Sequence, residues 1–258
     1  MTHRGLAPVS HWRTDLTRYR LRLEYKGTLF HGFQKQPGVP TVQGALESAI
    51  LTYTGQEIRT LGAGRTDAGV HSLGQVAAFD LDEKVDIKKA LGGLNALLPN
   101  GISVTDMVEA APDFDPRRDA VWREYRYLIL NRPAPSPLLE DFACHYPGEL
   151  DRELMKQACS LLEGEHDFSA FRVGGEAKST VRTVLRCEIF ELFPEFLCFV
   201  VRADSFLYKM VRMMAGAVLA VGSRRMALSG LSSSLAASSG PCAEPLPAHG
   251  LFLWEISY

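Results

Sequence analysis

Near the start of the chain Tyr19, Leu21, Leu23 and Tyr25 alternate with Arg20, Arg22 and Glu24, the two-residue period of a strand with one buried face. Past the turn-forming Pro37-Gly38-Val39-Pro40 the period lengthens. Val42, Ala45, Leu46, Ala49, Ile50 and Tyr53 recur at three- and four-residue spacings behind Thr41, a residue suited to cap a helix, and Gly55 is suited to end it. Residues 57–61 alternate as a strand, and residues 75–81 are apolar and rich in β-formers. Ile87, Leu91 and Leu94 mark a second helix that stops before Pro99, and residues 102–107 form a further strand. The first half therefore reads β-α-β-β-α-β.

The second half repeats that order without repeating the sequence. Strands are predicted over 122–130, 184–192, 196–203 and 251–257, with helices over 154–162 and 207–221. A split β-α-β twice over predicts an α+β fold of two fused ferredoxin-like domains, with a largely antiparallel joined sheet and a cleft between the halves. Pro112, Asp113 and Pro116 mark the joint, so the domains are expected at 1–112 and 113–258. The Ser-, Ala- and Pro-rich stretch 229–249 reads as a loop with room for one short helix.

Composition changes this picture little. A chain of 258 residues with 46% hydrophobic content can bury a core. Its five cysteines show no C-x-x-C pair and are odd in number, which disfavours a disulfide framework and fits a reducing cytoplasm. Neither a leader-like start nor a helix long and apolar enough for a bilayer is expected. Net charge is −2, yet charge is segregated: residues 4–26 carry a balance of +4, residues 202–225 another +4, and residues 140–167 a balance of −6. Such runs suit either solvated faces or a polyanion site.

Candidate chemistry gathers at Gly64-Arg65-Thr66-Asp67-Ala68-Gly69-Val70-His71, a charged, glycine-flanked turn between two strand-like runs. On its own such a stretch reads as a reverse turn, with Gly69 free to take positive φ. The chain lacks both the aromatic strand of an RNA-recognition domain and the Gly-Lys-Ser/Thr ending of a phosphate loop, so passive RNA binding of that kind and a nucleotide cofactor are disfavoured. His71, His166 and Asp167 lack metal-ligand spacing, and no metal is expected.

The same eight residues resemble the signature of the tRNA pseudouridine synthase A family. Further blocks agree in order along nearly the whole chain: Gln43 in the first helix, Asn95-Ala96-Leu97-Leu98-Pro99, Tyr125-Arg126-Tyr127, the run from Gly164 to Phe171, Met210-Val211-Arg212 with Gly216, and Gly250-Leu251-Phe252-Leu253. The resemblance implies a cytoplasmic homodimer that converts uridine to pseudouridine in the anticodon stem-loop of tRNA, at positions 38–40, without a cofactor. It makes Asp67 the catalytic aspartate, either nucleophile at ribose C1′ or base at the 2′ position. Arg212 is then the cation that keeps Asp67 charged, and Tyr125 lies against the uracil ring. Arg65, Thr66, His71 and Gln34 become substrate contacts, with Arg65 aiding extrusion of the target nucleotide. Lys178 and Arg182 become phosphate contacts in a variable loop.

Two blocks depart from the family pattern. Gly32-Phe33-Gln34 stands where Gly-Trp-Gln is usual, and Phe114-Asp115-Pro116-Arg117 where Phe-His-Ala-Arg is usual, which exchanges a phosphate donor for a negative charge. Two other function classes compete with the synthase. A catalytically idle RNA-binding or chaperone protein on the same fold would tolerate loss of Asp67. A small-molecule glycosidic-bond enzyme would show paired carboxylates, and the Asp67 loop holds one.

Overall fold

Alternation at the start of the chain becomes β1 (Thr17–Tyr25), with Tyr19, Leu21, Leu23 and Tyr25 buried and Arg22 and Glu24 exposed. It is the second strand from the edge in a computed structural model that describes residues 16–174, 179–237 and 241–258. α1 (Val42–Thr54) begins where Thr41 Oγ1 accepts the Gly44 N–H at 3.2 Å and ends at Gly55, whose φ of 73° is left-handed. β2 (Leu61–Gly62), β3 (His71–Leu81), α2 (Ile87–Leu97) and β4 (Ile102–Glu109) complete the first half. The second half holds β5 (Trp122–Leu130), β6 (Cys144–His145), α3 (Arg152–Leu162), β7 (Gly164–Asp167), β8 (Val181–Phe193) and β9 (Phe196–Ala203). It closes with α4 (Met210–Gly222), α5 (Leu228–Ala237) and β10 (Leu251–Ser257).

Both halves obey one neighbour rule. The first runs β4-β1-β3-β2 and the second β10-β5-β9-β8, each row antiparallel throughout. They join where β10 lies parallel to β3 through Phe252↔His71 and Leu253↔Ser72. The result is α+β: two ferredoxin-like units in one largely antiparallel sheet. Apolar burial is divided in nearly the same way, with Ala63, Val70 and Val76 of the first half joining the second core. Tyr19, Leu21, Leu46, Ile50 and Leu94 belong to one core, and Tyr127, Phe168, Phe171, Phe199 and Met214 to another.

Two expectations need correction, at residues 57–60 and at the start of α4. Residues 57–60 are not strand, because the Thr60 N–H donates to Glu47 Oε1 at 3.0 Å and the Thr60 carbonyl accepts from Gln43 Nε2 at 2.9 Å. Side chains of α1 hold that backbone in place of a sheet partner. Residues 164–167, given no element in the sequence reading, form β7 against β8. The short helix for which the Ser-rich stretch left room is the ten-residue α5, whose Leu228, Leu231 and Leu235 recur at helical spacing toward the second core. α4 starts at Met210, later than 207, because Lys209 is left-handed with φ of 59°. All five cysteines are free, and no described helix is long and apolar enough to cross a membrane.

Candidate active site

Asp67 sits in the turn ahead of β3, and several independent contacts fix that turn. The Val70 N–H donates to the Asp67 carbonyl at 3.1 Å, and Gly69 takes a φ of 84°. The loop from residue 27 to 33 lies directly against it. Phe33 N–H donates to the Thr66 carbonyl at 3.1 Å, and a Cβ on Gly27 would come within 2.0 Å of the Val70 carbonyl oxygen. Beneath the turn Thr66 Oγ1 lies 2.8 Å from the Tyr25 hydroxyl, and Gln75 Nε2 donates to the Gly64 carbonyl at 2.8 Å. Burial pushes the Tyr25 hydroxyl up to about 12, so this support stays uncharged at neutral pH.

Arg212 reaches the carboxylate from α4, in the other half. Its Nη1 is 3.2 Å from Asp67 Oδ2, and its Nε donates to the Leu246 carbonyl at 2.7 Å. The fork is thus aimed by the segment that leads into β10. That segment is itself anchored: Tyr127 donates its hydroxyl proton to the Pro247 carbonyl at 2.7 Å, and Leu246 N–H donates to the Arg212 carbonyl at 3.1 Å. With both members partly exposed, at 14% for Arg212 and 23% for Asp67, the pair remains open to a ligand.

A cleft of about 680 Å³ opens over this pair. Tyr125, on β5, lines it with 8% exposure and meets Phe206 edge-on at 5.1 Å. Burial, with Tyr25 and Asp67 nearby, holds the Tyr125 hydroxyl well above the usual tyrosine range, so it is a proton donor and a flat apolar face. Arg59 and Arg65 from the first half, Arg117 and Arg118 from the linker, and Arg123, Lys209 and Arg212 from the second half all line the cleft; Asp67 and Asp115 are its two carboxylates. In a chain of net charge −2, this surface carries +5. Such a cavity favours a polyanion with a flat, uncharged group at its floor.

The sequence-predicted residues divide on this geometry. Asp67, Arg212, Tyr125, Arg65, Thr66 and Gln34 all line the cleft. Thr66 is 7% exposed and spends its hydroxyl on Tyr25, so it supports the turn, whereas Arg65 and Gln34 are exposed. His71 does not reach the cleft. It is 1% exposed, its Nδ1 accepts the Gly27 N–H at 3.1 Å, and its Nε2 lies 2.7 Å from the Asp141 carbonyl and 3.1 Å from that of His249. That arrangement fits a neutral ring protonated at Nε2, and burial lowers its pKa. Expected as a substrate contact, His71 is instead a bolt between the halves.

Arg182 also lies apart from the cleft, on β8, where its Nη1 donates to the Ser179 and Val181 carbonyls. Lys178 falls outside the described residues. The basic runs scatter in space. Arg18 pairs with Asp80 and Lys26 with Asp141, Arg224 pairs with Asp151, and Arg202 joins Glu124 on the opposite face of the sheet; of the 202–225 run, Lys209 and Arg212 reach the cleft.

Sequence reading missed Arg59, Arg117, Arg118 and Arg123. Asp115, the departure from the family pattern, accepts the backbone N–H groups of Arg117 and Arg118 at 2.9 and 3.0 Å and so builds the turn that presents both. The signal was there: Asp-x-Arg-Arg is a turn with two cations on it. Arg123 gives its guanidinium to carbonyls of Ala120, Asp204 and Arg117, at 3.2, 2.8 and 2.5 Å, which ties the linker to the turn before α4.

Comparison with known proteins points to one family. The family model described as tRNA pseudouridine synthase matches residues 23–117 and 158–258, segments that include Asp67 and Arg212 and leave Tyr125 between them. A tRNA pseudouridine synthase A of Myxococcus xanthus is 41% identical over 245 residues, covering 94% of this chain and 92% of its own. Proteins of the same description from Caldicellulosiruptor bescii and Chloroflexus aurantiacus are 39% and 44% identical, over 92% of this chain in each case and 98% and 87% of theirs.

Proposed function

The chain belongs to the tRNA pseudouridine synthase family, and from that premise we propose that it isomerises uridine in the anticodon stem-loop of tRNA, at positions 38–40, with Asp67 as the catalytic carboxylate. One observation carries the assignment: the Asp67 carboxylate, 3.2 Å from Arg212, lies in a cleft of net charge +5 beside the flat face of Tyr125. The reaction breaks the bond from ribose C1′ to uracil N1, turns the base, joins C1′ to C5 and releases the C5 proton. No group donor, oxidant or cofactor is consumed. Asp67 serves as nucleophile at C1′ or as base at the 2′ position, with the Arg212 guanidinium 3.2 Å away to orient the carboxylate.

Tyr125 stacks on the uracil once the nucleotide has left the helix, and its hydroxyl, kept protonated by burial, can donate a hydrogen bond to the base. Arg65 stands at the cleft wall, where a guanidinium can occupy the vacated stack or hold the displaced phosphate. Residues 1–112 and 113–258 act as the two domains that close this cleft, a division supported by a core that first-half residues build alone. The working form is a cytoplasmic homodimer; Phe190 and Leu192, 37% and 45% exposed on β8, are apolar surface for a partner copy. Light scattering at twice the 28.5 kDa chain mass is the expected result.

Mapping decides the substrate reading. An unmodified tRNA transcript carrying uridine throughout, treated with the enzyme and sequenced for pseudouridine, should acquire it at 38–40. Pseudouridine confined to another arm would overturn the anticodon assignment while leaving the family standing.

A further inference from the structure

Tyr208 is 55% exposed, the most exposed large apolar side chain lining the cleft among the described residues. It stands on the turn between β9 and α4, four positions before Arg212. Tyr125, Phe206 and Tyr208 make the aromatic wall of the second half. Tyr125 is buried, Phe206 is half-buried and edge-on to it, and Tyr208 is open to solvent. The turn is fixed rather than loose. Met210 N–H donates to the Leu207 carbonyl at 3.1 Å, Val173 N–H donates to the Tyr208 carbonyl at 3.4 Å, and Lys209 holds a φ of 59° that side-chain-bearing residues seldom adopt. Such conformations persist where the surroundings determine them, and they gather at ligand sites. Lys209 also brings its ammonium within 5.1 Å of the Tyr208 ring centroid.

A ring left bare beside cations has a natural occupant. Arg65, Arg117, Arg118 and Lys209 share the cleft with it, so what covers the ring must carry anionic charge next to a flat apolar face. We propose that Tyr208 is a stacking platform for a nucleobase that flanks the extruded uridine in the substrate RNA, with Lys209 on the phosphate between them. This rests on the RNA-modifying reading above and adds a second base site to the one at Tyr125. Extrusion of one nucleotide strips a stacking face from each neighbour, and a phenol ring returns one of those faces. Any base offers that face, so the contact tolerates sequence variation beside the target.

The test pairs a protein change with an RNA change. Release of tritium from C5 of the target uridine gives kcat/KM on three transcripts: one intact, one lacking the base on the 5′ side of the target, and one lacking it on the 3′ side. Wild type should slow about tenfold on one of the abasic transcripts, within the range of a lost base–aromatic stack. Tyr208→Ala should slow about tenfold on the intact transcript and show no further loss on that abasic one, while Tyr208→Phe should match wild type on all three. A ring with only a structural role would slow all transcripts by one factor, and that result overturns the proposal. So does wild-type speed of Tyr208→Ala on intact RNA, or indifference of wild type to both abasic positions. Absence of release by wild type on the intact transcript would remove the functional reading, and this site with it.

Discussion

Asp67 and Arg212 lie 145 positions apart in the chain and 3.2 Å apart in the fold. Their pairing was legible only through the motifs that contain them, since nothing in local pattern links a turn in one half to a helix in the other. Arg123 was illegible for a different reason: a guanidinium bonded to main-chain carbonyls leaves no partner residue type to search for. Arg212 uses Nε on Leu246 and Nη1 on Asp67 together, a fork that an ammonium does not reproduce. Arg212→Lys should therefore lower kcat about 100-fold with little change in KM, the loss typical of one preorganised electrostatic contact. Steady-state kinetics on a tRNA transcript check this, and near-wild-type kcat would leave the fork without a role. Tyr125 divides stacking from proton transfer. If its ring alone matters, Tyr125→Phe should keep the wild-type rate within a few-fold and Tyr125→Leu should lose most of it; equal losses in both would assign the hydroxyl a part.

Elements long enough to show a full period were readable, and the exceptions have physical causes. Residues 57–60 alternate as a strand does, yet Gln43 and Glu47 capture their backbone. α5 could be foreseen only as room for one short helix, because its serines and three leucines spaced over eight residues leave too sparse a stripe to bound it. Residues 241–250 are a strap for the site, holding Arg212 at Leu246 and His71 at His249. Gly216 on α4 lets this strap approach, since a Cβ there would fall 2.2 Å from the Glu244 carbonyl oxygen. Gly216→Ala should destabilise the fold by roughly 1–3 kcal/mol, as overpacking does, and lower kcat as well by loosening Arg212. Urea unfolding and kinetics measure the two effects, and unchanged values would mean that the strap yields freely. His71 gives the joint an acid limit. Its pKa is lowered by burial, so the folded state binds fewer protons than the unfolded one as pH falls below about 6.5, and stability declines in that direction. Unfolding curves from about pH 7.5 to about pH 5 should show this slope, and His71→Gln should flatten it.

At the scale of the molecule, the repeated β-α-β-β-α-β order was readable from periodicity, because each half sets its own sheet order and β3 and β10 then join the two. The charge map was not, because linear runs of arginine end on opposite faces while the cleft draws its cations from three separate regions. A net +5 surface predicts that tRNA affinity falls steeply with salt, with a log–log slope of about −3.5 to −4.5 for about five released ions. Titrations from low to physiological salt check it, and a flat response would deny the cleft its polyanion. Asp67→Ala should bind at least as tightly as wild type, since it removes a negative charge. The most direct measurement follows from that contrast: tRNA transcript tritiated at uracil C5 is incubated with wild type and with Asp67→Ala, and tritium released to water is counted. Release by wild type and none by a folded, tRNA-bound Asp67→Ala is the predicted result. Release by Asp67→Ala at the wild-type rate would contradict the assignment of Asp67 as the catalytic carboxylate.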